Sequence, residues 1–586
     1  MSYILRKNKN KKGTYLQMYE CYWNKELKQG RSKCICSFGY VEELTTTEMP
    51  DPVAYYTEYV RQKELERKAM QKAETRPRVF GESAEKNIGY FLLQTLIEEL
   101  GVKEDIDILA SANRFQFSIY DMITQLIYAR VINPCSKSKT VSDVFPQLYR
   151  NSPMSEDQVY AGLEFIGGFY NKYIELFNHQ YERYFKRDFS RVFFDCTNYY
   201  FEIDLPKDDK QKGPSKENRH EPIIGQALLL DSDLVPLGMQ MYPGNESEKP
   251  YIRKTIEEMK QRYKVKGHTV QVADKGLNCA RNIFAAVKEA NDGYIFSKSI
   301  HGRCLSRAEK EWIKLDNSKN VWTTYKDSNG KIAYRLKSCV DEFEYSFDEN
   351  DPTTGEKKTT KFKVKEKRVV SYNPRLAQKQ QAEIKKMVDK ATNCITFKKL
   401  VKEELGDASK YVKMTTTDSS GKKVTPAFKI DSAKVQEDLD LAGYNLLVTS
   451  EVNMSPDEIY KTYHGLWKIE ESFRITKSYL DARPVYVQKK ETIYGHFLIC
   501  YLSLFLLRVL EIKCFKNKAN AYDIINFIRD FRVVKKDDRS YINLSKNRTA
   551  NQKLREVTGI TILDALYLTN EELDALFDST MLIESV

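Results

Sequence analysis

The sequence predicts a mixed α/β protein whose central part begins with three consecutive strands and continues with strands that alternate with helices. In chain order these segments are the strands RVFFD (191–195), PIIGQALLL (222–230) and LVPLGMQMY (234–242), a helix over 249–263, the strand TVQVAD (269–274), a helix over 279–291 and the strand GYIFS (293–297). A start of consecutive strands followed by α/β crossovers is the order of a ribonuclease H-like fold, whereas a doubly wound sheet normally alternates from its first strand onward.

Length and composition place the chain among soluble proteins of several domains. Its 586 residues correspond to roughly four domains or subdomains. Hydrophobic residues make up 41% of the chain, charged residues 30%, and the mean hydropathy is −0.57. The 94 Lys and Arg residues exceed the 82 Asp and Glu residues by 12, a surplus that fits a polyanionic partner without proving one.

No segment is predicted to cross a membrane. The most apolar run, Phe497 to Leu507, has the length of a buried helix. The basic start MSYILRKNKNKKG lacks the apolar region of a secretory signal. The eleven cysteines are scattered, and the single close pair, Cys34 and Cys36, has poor spacing for zinc. We therefore expect a cytoplasmic protein with reduced thiols and no structural metal centre.

Two regions precede the central part. Residues 1–45 form a predicted small β unit, because YLQMYECYW and KCICSFGY are strand-like and flank the turn-rich connection NKELKQGRS. Residues 46–187 are predicted to be helical, with Gly101 capping one helix and Pro134 stopping another, and we expect this region to bind the polyanionic partner.

The remaining chain divides into four predicted regions. The first part of the core spans 188–300, a mostly-β insertion spans 301–440, the second part of the core spans 441–515, and a helical C-terminal region spans 516–586. Within the insertion, the alternation of KFKVK puts three lysines on one strand face, Lys361, Lys363 and Lys365. We expect that face to point towards a polyanionic partner, although a solvated lysine face is the more common arrangement.

Three carboxylates stand where the predicted fold could bring them together. Asp195 ends the first strand of the core, Asp274 ends the fourth, and Glu470 lies in a long predicted helix over 455–480 that begins with the capping pair Ser455 and Glu458. Carboxylates at strand ends and on an adjacent helix can converge on one point, where oxygen ligands suit Mg²⁺ or Mn²⁺. Taken alone, each of these residues is more often a turn residue, a cap or a solvated side chain, and Glu471 competes with Glu470.

The same helix carries a polar stripe. At about 100° per residue, Glu470 and Lys477 return to nearly the same face as Tyr463, and Arg474 lies about 20° from that line. A carboxylate flanked by a phenol and two cations fits a metal ligand beside phosphate contacts. The alternative is a row of core and snorkelling side chains.

These segments resemble bacterial insertion-sequence transposases of the DDE class, in the superfamily named for a Tyr-x2-Arg-x3-Glu-x6-Lys signature. The matching residues are Tyr463, Glu470 and Lys477, whereas Leu466 stands in place of the signature Arg. FFDCTNYYFE resembles the block of the first catalytic Asp, VADKGLN the block of the second, and GNESE and GYNLLVTS are also similar.

The resemblance implies a fold, an activity and a set of partners. The fold would be a ribonuclease H-like catalytic core with an inserted β domain. The activity would be hydrolysis at the ends of the element and strand transfer into target DNA, supported by Mg²⁺ or Mn²⁺, with two ions bound by Asp195, Asp274 and Glu470. Tyr463 and Lys477 would contact double-stranded DNA at the transposon end, and the active form would be a homodimer on paired ends, associated with the bacterial nucleoid.

The missing signature Arg requires a substitute if its phosphate contact is needed. Arg474 is the candidate, because a guanidinium grips a phosphate in a way that Leu466 cannot. The alternative is that Arg474 pairs with Glu470 or Glu471 along the helix.

Two rival functions stay open at this stage. A stand-alone metal-dependent nuclease would share the carboxylates, but the long stretch before Asp195 and its basic start favour a dedicated DNA-recognition region. A domesticated DNA-binding protein without catalysis is the second rival, and the presence of all three acidic residues speaks against it.

Overall fold

The computed structural model divides the chain into two compact units, Met1–Ser83 and Ala84–Val586. It describes residues 2–24, 29–74, 85–216, 220–302, 305–314, 321–350, 355–396, 402–417, 423–546, 548–579 and 582.

The first unit is a three-stranded antiparallel sheet backed by a helix. Its elements are β1 Ser2–Asn10, β2 Gly13–Asn24, β3 Gln29–Tyr40, α1 Val41–Leu44 and α2 Pro52–Glu74. Leu16, Met18 and Val60 form the buried core between sheet and helix. The predicted boundary at residue 45 is therefore wrong, because α2 packs on the sheet and the Glu64 carboxylate accepts the Tyr3 backbone N–H at 3.0 Å. Part of the predicted β2–β3 connection, residues 25–28, lies outside the described residues.

The second unit opens with a short strand and a group of helices. They are β4 Glu85–Asn87, α3 Phe91–Leu100, α4 Lys103–Ala110, α5 Ile119–Ile132, α6 Lys137–Lys139, a π-helical turn Thr140–Val144, a 3₁₀ turn Phe145–Gln147, α7 Glu156–Gly168 and α8 Tyr170–Glu182. Gly101 ends α3 in the left-handed conformation, with φ of 69°. Asn133 caps α5 just before Pro134. Both predicted helix ends are confirmed.

The central sheet contains the five strands predicted for the core. They are β5 Arg191–Tyr200, β6 Ile223–Leu230, β7 Pro236–Pro243, β8 Val270–Ala273 and β9 Gly293–Lys298, with helix α9 Lys249–Arg262 before β8 and helix α10 Ala280–Phe284, continued by a π-helical turn Ala285–Glu289, before β9. The spatial order is β7-β6-β5-β8-β9. Strand β5 runs parallel to β8, and β8 runs parallel to β9, whereas β6 is antiparallel to both its neighbours.

The sheet is buried on both faces. Phe193 and Ile295 belong to one hydrophobic core with residues of α5, α7 and α8. Phe194 and Phe296 belong to a second core with residues of α9. A parallel arrangement of strands is stable when both faces are covered in this way.

The predicted insertion does not fold as a separate β unit. Its elements are α11 Arg307–Lys314, β10 Thr323–Lys326, β11 Ile332–Asn350, β12 Lys357–Tyr372, α12 Pro374–Thr396, α13 Lys402–Leu405, a 3₁₀ turn Gly406–Tyr411, β13 Val412–Thr417, β14 Lys423–Ile430 and α14 Ser432–Asp440. Strands β10 to β12 extend the central sheet, because β12 pairs with the next core strand, β15 Tyr444–Thr449, which in turn pairs with β9. The described parts of β13 and β14 pair with each other as a two-stranded sheet.

The predicted alternation in β12 is confirmed. Phe362 and Val364 are buried, whereas Lys361, Lys363 and Lys365 are exposed. Glutamates of β11 stand opposite Lys363 and Lys365, and Lys363 Nζ lies 3.1 Å from Glu342 Oε2. The orientation of this face towards DNA stays a prediction. The predicted turn at Asp351-Pro352 lies outside the described residues.

The long predicted helix over 455–480 is interrupted. It consists of α15 Pro456–His464, a turn at Gly465-Leu466, α16 Trp467–Arg474 and a π-helical turn Ile475–Tyr479. The Ser455 hydroxyl accepts the backbone N–H of Glu458, so the predicted N-cap is confirmed. The reciprocal half of the capping box is replaced by an ion pair, because Glu458 Oε1 lies 3.2 Å from Arg191.

The C-terminal region is not purely helical, contrary to prediction. After α17 Lys490–Val509 and a π-helical turn Leu510–Cys514, it contains α18 Ala521–Asp530, β16 Arg532–Lys535, β17 Ser540–Asn543, α19 Arg548–Thr558, a 3₁₀ turn Thr561–Asp564, β18 Tyr567–Thr569 and α20 Asn570–Phe577. The three strands pair with β4 in a four-stranded sheet of order β18-β17-β16-β4. Strands of three or four residues are too short to show a reliable alternation in the sequence.

Helix α17 runs through the core of the second unit. The segment Lys490–Cys514 is long and apolar enough to cross a membrane, but 94% of its most apolar window is buried inside the protein. The prediction of a buried helix is therefore confirmed. Gly495 of α17 and Gly167 of α7 lie at the crossing of the two helices, where an added Cβ at either position would meet the backbone of the other helix.

We predict that α7 and α17 can approach this closely only because each has a glycine at the crossing. Gly167→Ala and Gly495→Ala should each lower the free energy of unfolding by about 1–3 kcal/mol or more, since backbone must move to admit a methyl group. Gly168→Ala is the matched control: no heavy atom lies within 4 Å of its added Cβ, so it should raise stability by about 0.5–1 kcal/mol. Denaturant unfolding measures all three, and equal effects at positions 167 and 168 would contradict the close crossing.

Candidate active site

Asp195 and Asp274 lie beside each other on two neighbouring parallel segments, since the β5–β8 register pairs Phe194 with Ala273 and each Asp is the next residue in the chain. The prediction that Asp195 ends its strand is wrong, because β5 continues to Tyr200 and Asp195 pairs with Leu228 of β6, whereas Asp274 directly follows β8. Both carboxyl groups therefore lie where β8 ends and β5 continues. Burial raises the pKa of Asp195 to about 6, with smaller contributions in the same direction from the Glu248 and Asp274 carboxylates and a partial offset from the Lys216 charge.

Lys216 and Glu248 complete this end of the sheet. Lys216 Nζ lies 3.2 Å from Glu248 Oε1 and 3.9 Å from Asp195 Oδ1, and it also donates to the Cys196 backbone carbonyl. Glu248 belongs to the segment GNESE and precedes the first turn of α9. This segment is similar to the family, but Glu248 is not among the residues predicted for the site. Its signal was an acidic residue at a helix start, which is common in any protein.

Tyr463 links the strand ends to the helix of Glu470. Its hydroxyl donates to Asp274 Oδ1 at 2.9 Å. Burial raises the pKa of the Tyr463 phenol, and the Asp274 and Glu470 carboxylates raise it further, so the phenol stays protonated and Glu470 is an electrostatic neighbour. The tyrosine predicted to contact DNA thus bonds a predicted metal ligand in this structure.

Glu470 and Glu471 have opposite environments. Glu470 is exposed, whereas Glu471 is 5% exposed and ion-paired. Arg508 of α17, fully buried, lies 2.9 Å from Glu471 Oε2 and 2.5 Å from Glu511 Oε2. Lys468 lies 3.0 Å from Glu471 and 2.8 Å from Glu511. We call these four residues the Arg508 cluster. Although burial opposes it, the Arg508 and Lys468 charges hold the pKa of Glu471 below its usual value.

The predicted stripe is only partly preserved. Lys477 lies in the π-helical turn, where its Nζ is 5.3 Å from the centre of the Tyr199 ring. Arg474 is exposed, and its Nε donates to the Tyr522 hydroxyl at 2.9 Å. Glu471 forms its ion pairs with Arg508 and Lys468 of the Arg508 cluster, and the alternative pairing of Glu471 with Arg474 is not seen among the described ion pairs. The turn at Gly465-Leu466 and the π turn both depart from 100° per residue, which explains why the angles calculated for a regular helix do not apply.

The donor set fits a divalent cation in its chemistry. Asp195, Asp274, Glu248 and Glu470 supply only carboxylate oxygens, the ligands that Mg²⁺ and Mn²⁺ prefer. The Lys216 ammonium lies between Asp195 and Glu248, so these two carboxylates already attract one positive charge. Within the described ranges, no three His, Cys, Asp or Glu side chains lie close enough to hold one ion as they stand. Ion binding would therefore require Lys216 to move aside and Glu470 to approach.

Comparison with known proteins defines the class. The family model described as the transposase DDE domain matches residues 200–506, more than half of the chain. The chain belongs to this family and is a transposase, an enzyme that cleaves DNA and transfers strands. The match covers Asp274, Glu470, Tyr463 and Lys477, and it begins after Asp195. The family implies a ribonuclease H-like core, and its members generally use divalent metal ions.

The chain was also compared with curated proteins and with solved structures. No curated protein matches the chain. A cryo-EM structure of the piggyBac transposase synaptic complex with hairpin DNA is similar at 12% sequence identity, covering 76% of this chain and 86% of that chain with a TM-score of 0.25.

The raised pKa of Asp195 predicts a pH-dependent stability. A carboxyl with a folded pKa of about 6 stabilises the folded state fully below about pH 4, and this contribution is lost as the pH rises through 6. In the presence of a chelator, Asp195→Asn should therefore be more stable than the wild type above pH 6, by about 1–3 kcal/mol, and nearly equal to it below pH 4. Asp538→Asn, at a fully exposed carboxylate, is the control and should show no such profile. A difference between Asp195→Asn and the wild type that does not change with pH would contradict the prediction.

Proposed function

We propose that the protein is the transposase of a bacterial insertion sequence, of the superfamily with the Tyr-x2-Arg-x3-Glu-x6-Lys signature. It would bind double-stranded DNA at the ends of its element, cleave phosphodiester bonds there and transfer the ends into target DNA. The observation that carries this proposal is the pair of carboxylates beside each other on β5 and directly after β8, with Tyr463 linking Asp274 to the neighbourhood of Glu470.

Asp195, Asp274 and Glu470 would hold the metal, with Glu248 available as a fourth carboxylate. Two Mg²⁺ or Mn²⁺ ions, when bound, would activate a water or a 3′-hydroxyl and stabilise the leaving oxygen of the phosphodiester. Lys216 would keep the carboxylates neutralised before the ions bind, and its ammonium would then be free to pair with a DNA phosphate.

Tyr463 would act by orientation. Its hydroxyl donates to Asp274 Oδ1, which leaves Oδ2 of that carboxylate free of this bond. The Arg508 cluster would hold α16 against α17, so that Glu470 faces the strand ends while its neighbour Glu471 is buried.

Lys477 and Arg474 would supply phosphate contacts along the bound end. Lys477 is half-buried beside the core sheet, and Arg474 is exposed on the last turn of α16. Arg474 would take the place of the signature Arg, because Leu466 is buried at 8% exposure and cannot contact DNA. A homodimer on paired ends would bring two such sites together, in a protein associated with the bacterial nucleoid.

We predict that the three carboxylates are needed for cutting but not for DNA binding. Asp195→Asn, Asp274→Asn and Glu470→Gln should each abolish Mg²⁺-dependent nicking of a plasmid that carries the gene with its flanking DNA, with plasmid affinity nearly unchanged. Glu471→Gln is the matched neighbour: by leaving buried cations unpaired it should cost about 3–5 kcal/mol of stability, yet molecules that remain folded should nick. If folded Glu471→Gln were inactive and Glu470→Gln active, the assignment of the metal ligand on this helix would be wrong.

A second prediction concerns the phosphate contacts. Lys477→Ala and Arg474→Ala should each lower affinity for duplex DNA and reduce the slope of log affinity against log salt by about one unit, the loss of one phosphate contact. Lys461→Ala, an exposed lysine on α15 paired with Asp457, is the control and should keep the slope. If Arg474→Ala lost only thermal stability at an unchanged slope, Arg474 would serve to hold Tyr522, and the missing signature Arg would have no substitute.

A further inference from the structure

We propose that the open face of the N-terminal three-stranded sheet reads base edges in the major groove of duplex DNA. The inference rests on the proposed function, since it names the surface by which a transposase would recognise particular DNA sequences. It replaces the expectation that the helical region over 46–187 is the DNA-recognition region.

The positive charge of the chain is concentrated in this sheet. Residues 1–40 contain nine Lys and Arg residues against two acidic ones, a net charge of +7 out of +12 for all 586 residues. Residues 41–83, which include α2, contain seven basic and nine acidic residues. A polyanion would therefore be attracted to the sheet rather than to the helix behind it.

The sheet has one covered face and one open face. Side chains alternate along a strand, so Leu16 and Met18 point to α2 while Gln17 points away. The register places Arg6 and Asn8 of β1 on the same open face, opposite Gln17 and Tyr15 of β2. We call this the open face. Its polar side chains are Arg6, Asn8, Asn10, Tyr15, Gln17, Tyr19, Ser32, Ser37 and Tyr40, and the same register adds Ile4, Cys21, Trp23 and Cys34.

The middle of the open face, around Gln17, consists of linked hydrogen-bonding groups. Asn8 Nδ2 donates to Gln17 Oε1 at 2.9 Å, and Gln17 Nε2 donates to Ser37 Oγ at 2.9 Å. The Arg6 guanidinium donates to Ser32 Oγ at 2.8 Å and stacks 4.3 Å above the Tyr19 ring. These contacts hold long side chains in defined positions at the surface, which reduces the entropy lost on binding.

The residue types and the dimensions both suit the major groove. Asn and Gln make paired hydrogen bonds to adenine, and Arg makes them to guanine. Three strands spaced about 4.8 Å apart span about 10 Å, and the major groove is about 12 Å wide. Lys9, Lys11 and Lys12 are exposed around the β1–β2 turn at one end of the face, where they can reach phosphates beside the groove.

Binding-site selection with the full chain tests the proposal. The probe is a pool of DNA duplexes with a randomised centre, from which bound molecules are recovered and sequenced. The wild type should enrich one motif. Asn8→Ala and Gln17→Ala should each lose the preference at one base pair, by about 5- to 150-fold in relative affinity. Lys11→Ala should keep the motif, bind all duplexes more weakly and reduce the salt slope by about one unit.

Gln17→Glu provides a variant of unchanged shape. It replaces the amide donor by an acceptor, so the preference at its base pair should move from adenine towards cytosine. Gln62→Ala, at an exposed glutamine on α2, is the matched control and should enrich the wild-type motif. Thermal unfolding followed by circular dichroism would show that the sheet variants are folded.

Three results would overturn the inference. The first is that Asn8→Ala and Gln17→Ala enrich the same motif as the wild type, and the second is that the wild type enriches no motif. The third is tighter binding to a double-stranded RNA of equal length, whose major groove is too narrow for the sheet. Asp195→Asn should enrich the wild-type motif without nicking. A wild type that enriches the motif but leaves the plasmid uncut in Mg²⁺ would refute the proposed catalysis and still support reading by the sheet.

Discussion

The Arg508 cluster is the constraint on which the candidate active site depends. A guanidinium with no exposed surface is stable only if its charges are paired, and Arg508 finds Glu471 on one side and Glu511 on the other. Removing one partner of a buried pair typically costs about 3–5 kcal/mol, because the other charge is left unpaired in a medium of low polarity. The helix α16 therefore has one stable rotation against α17. That rotation buries Glu471 and exposes its neighbour Glu470, since successive helical residues point about 100° apart.

Helix α17 transmits this constraint to the rest of the second unit. It lies in the core, crosses α7 where Gly495 and Gly167 allow the backbones to approach, and carries Arg508 on its last turn. The position of Glu470 thus follows from a close glycine crossing and a buried charge cluster, neither of which contains a candidate metal ligand.

The carboxylates of Asp195 and Asp274 are held together against their mutual repulsion. Asp195 and Asp274 must lie close together, because the parallel pairing of β5 and β8 places the preceding residues opposite each other. The raised pKa of Asp195 reflects burial first and then the neighbouring carboxylates, while Lys216 offsets part of the cost. A site that is electrostatically unfavourable without a bound cation is suited to binding one. The chain separates this acidic chemistry from its basic surplus, since most of the net positive charge lies in the first 40 residues.

The sequence by itself determined the features that arise from neighbouring residues. The strand order of the core, the position of Asp274 after β8, the caps at Gly101 and Ser455 and the alternating face of β12 follow from hydrophobic period and cap chemistry. The end of β5 does not, because pairing with β6 continues this strand past Asp195 to Tyr200. Only the tertiary structure decided where distant segments meet. Pairing of β12 with β15 turned the expected separate insertion into an extension of the central sheet, and β16 found β4 more than 400 residues earlier.

The same distinction applies to the site. Lys216 and Glu248 come from segments without regular period, and they reach Asp195 only because loops and helix starts converge at one sheet edge. The contact of Arg474 with Tyr522 and the burial of Glu471 by Arg508 join residues 48 and 37 positions apart. Periodicity describes one element at a time, whereas the charge and burial of a side chain are set by the elements packed against it.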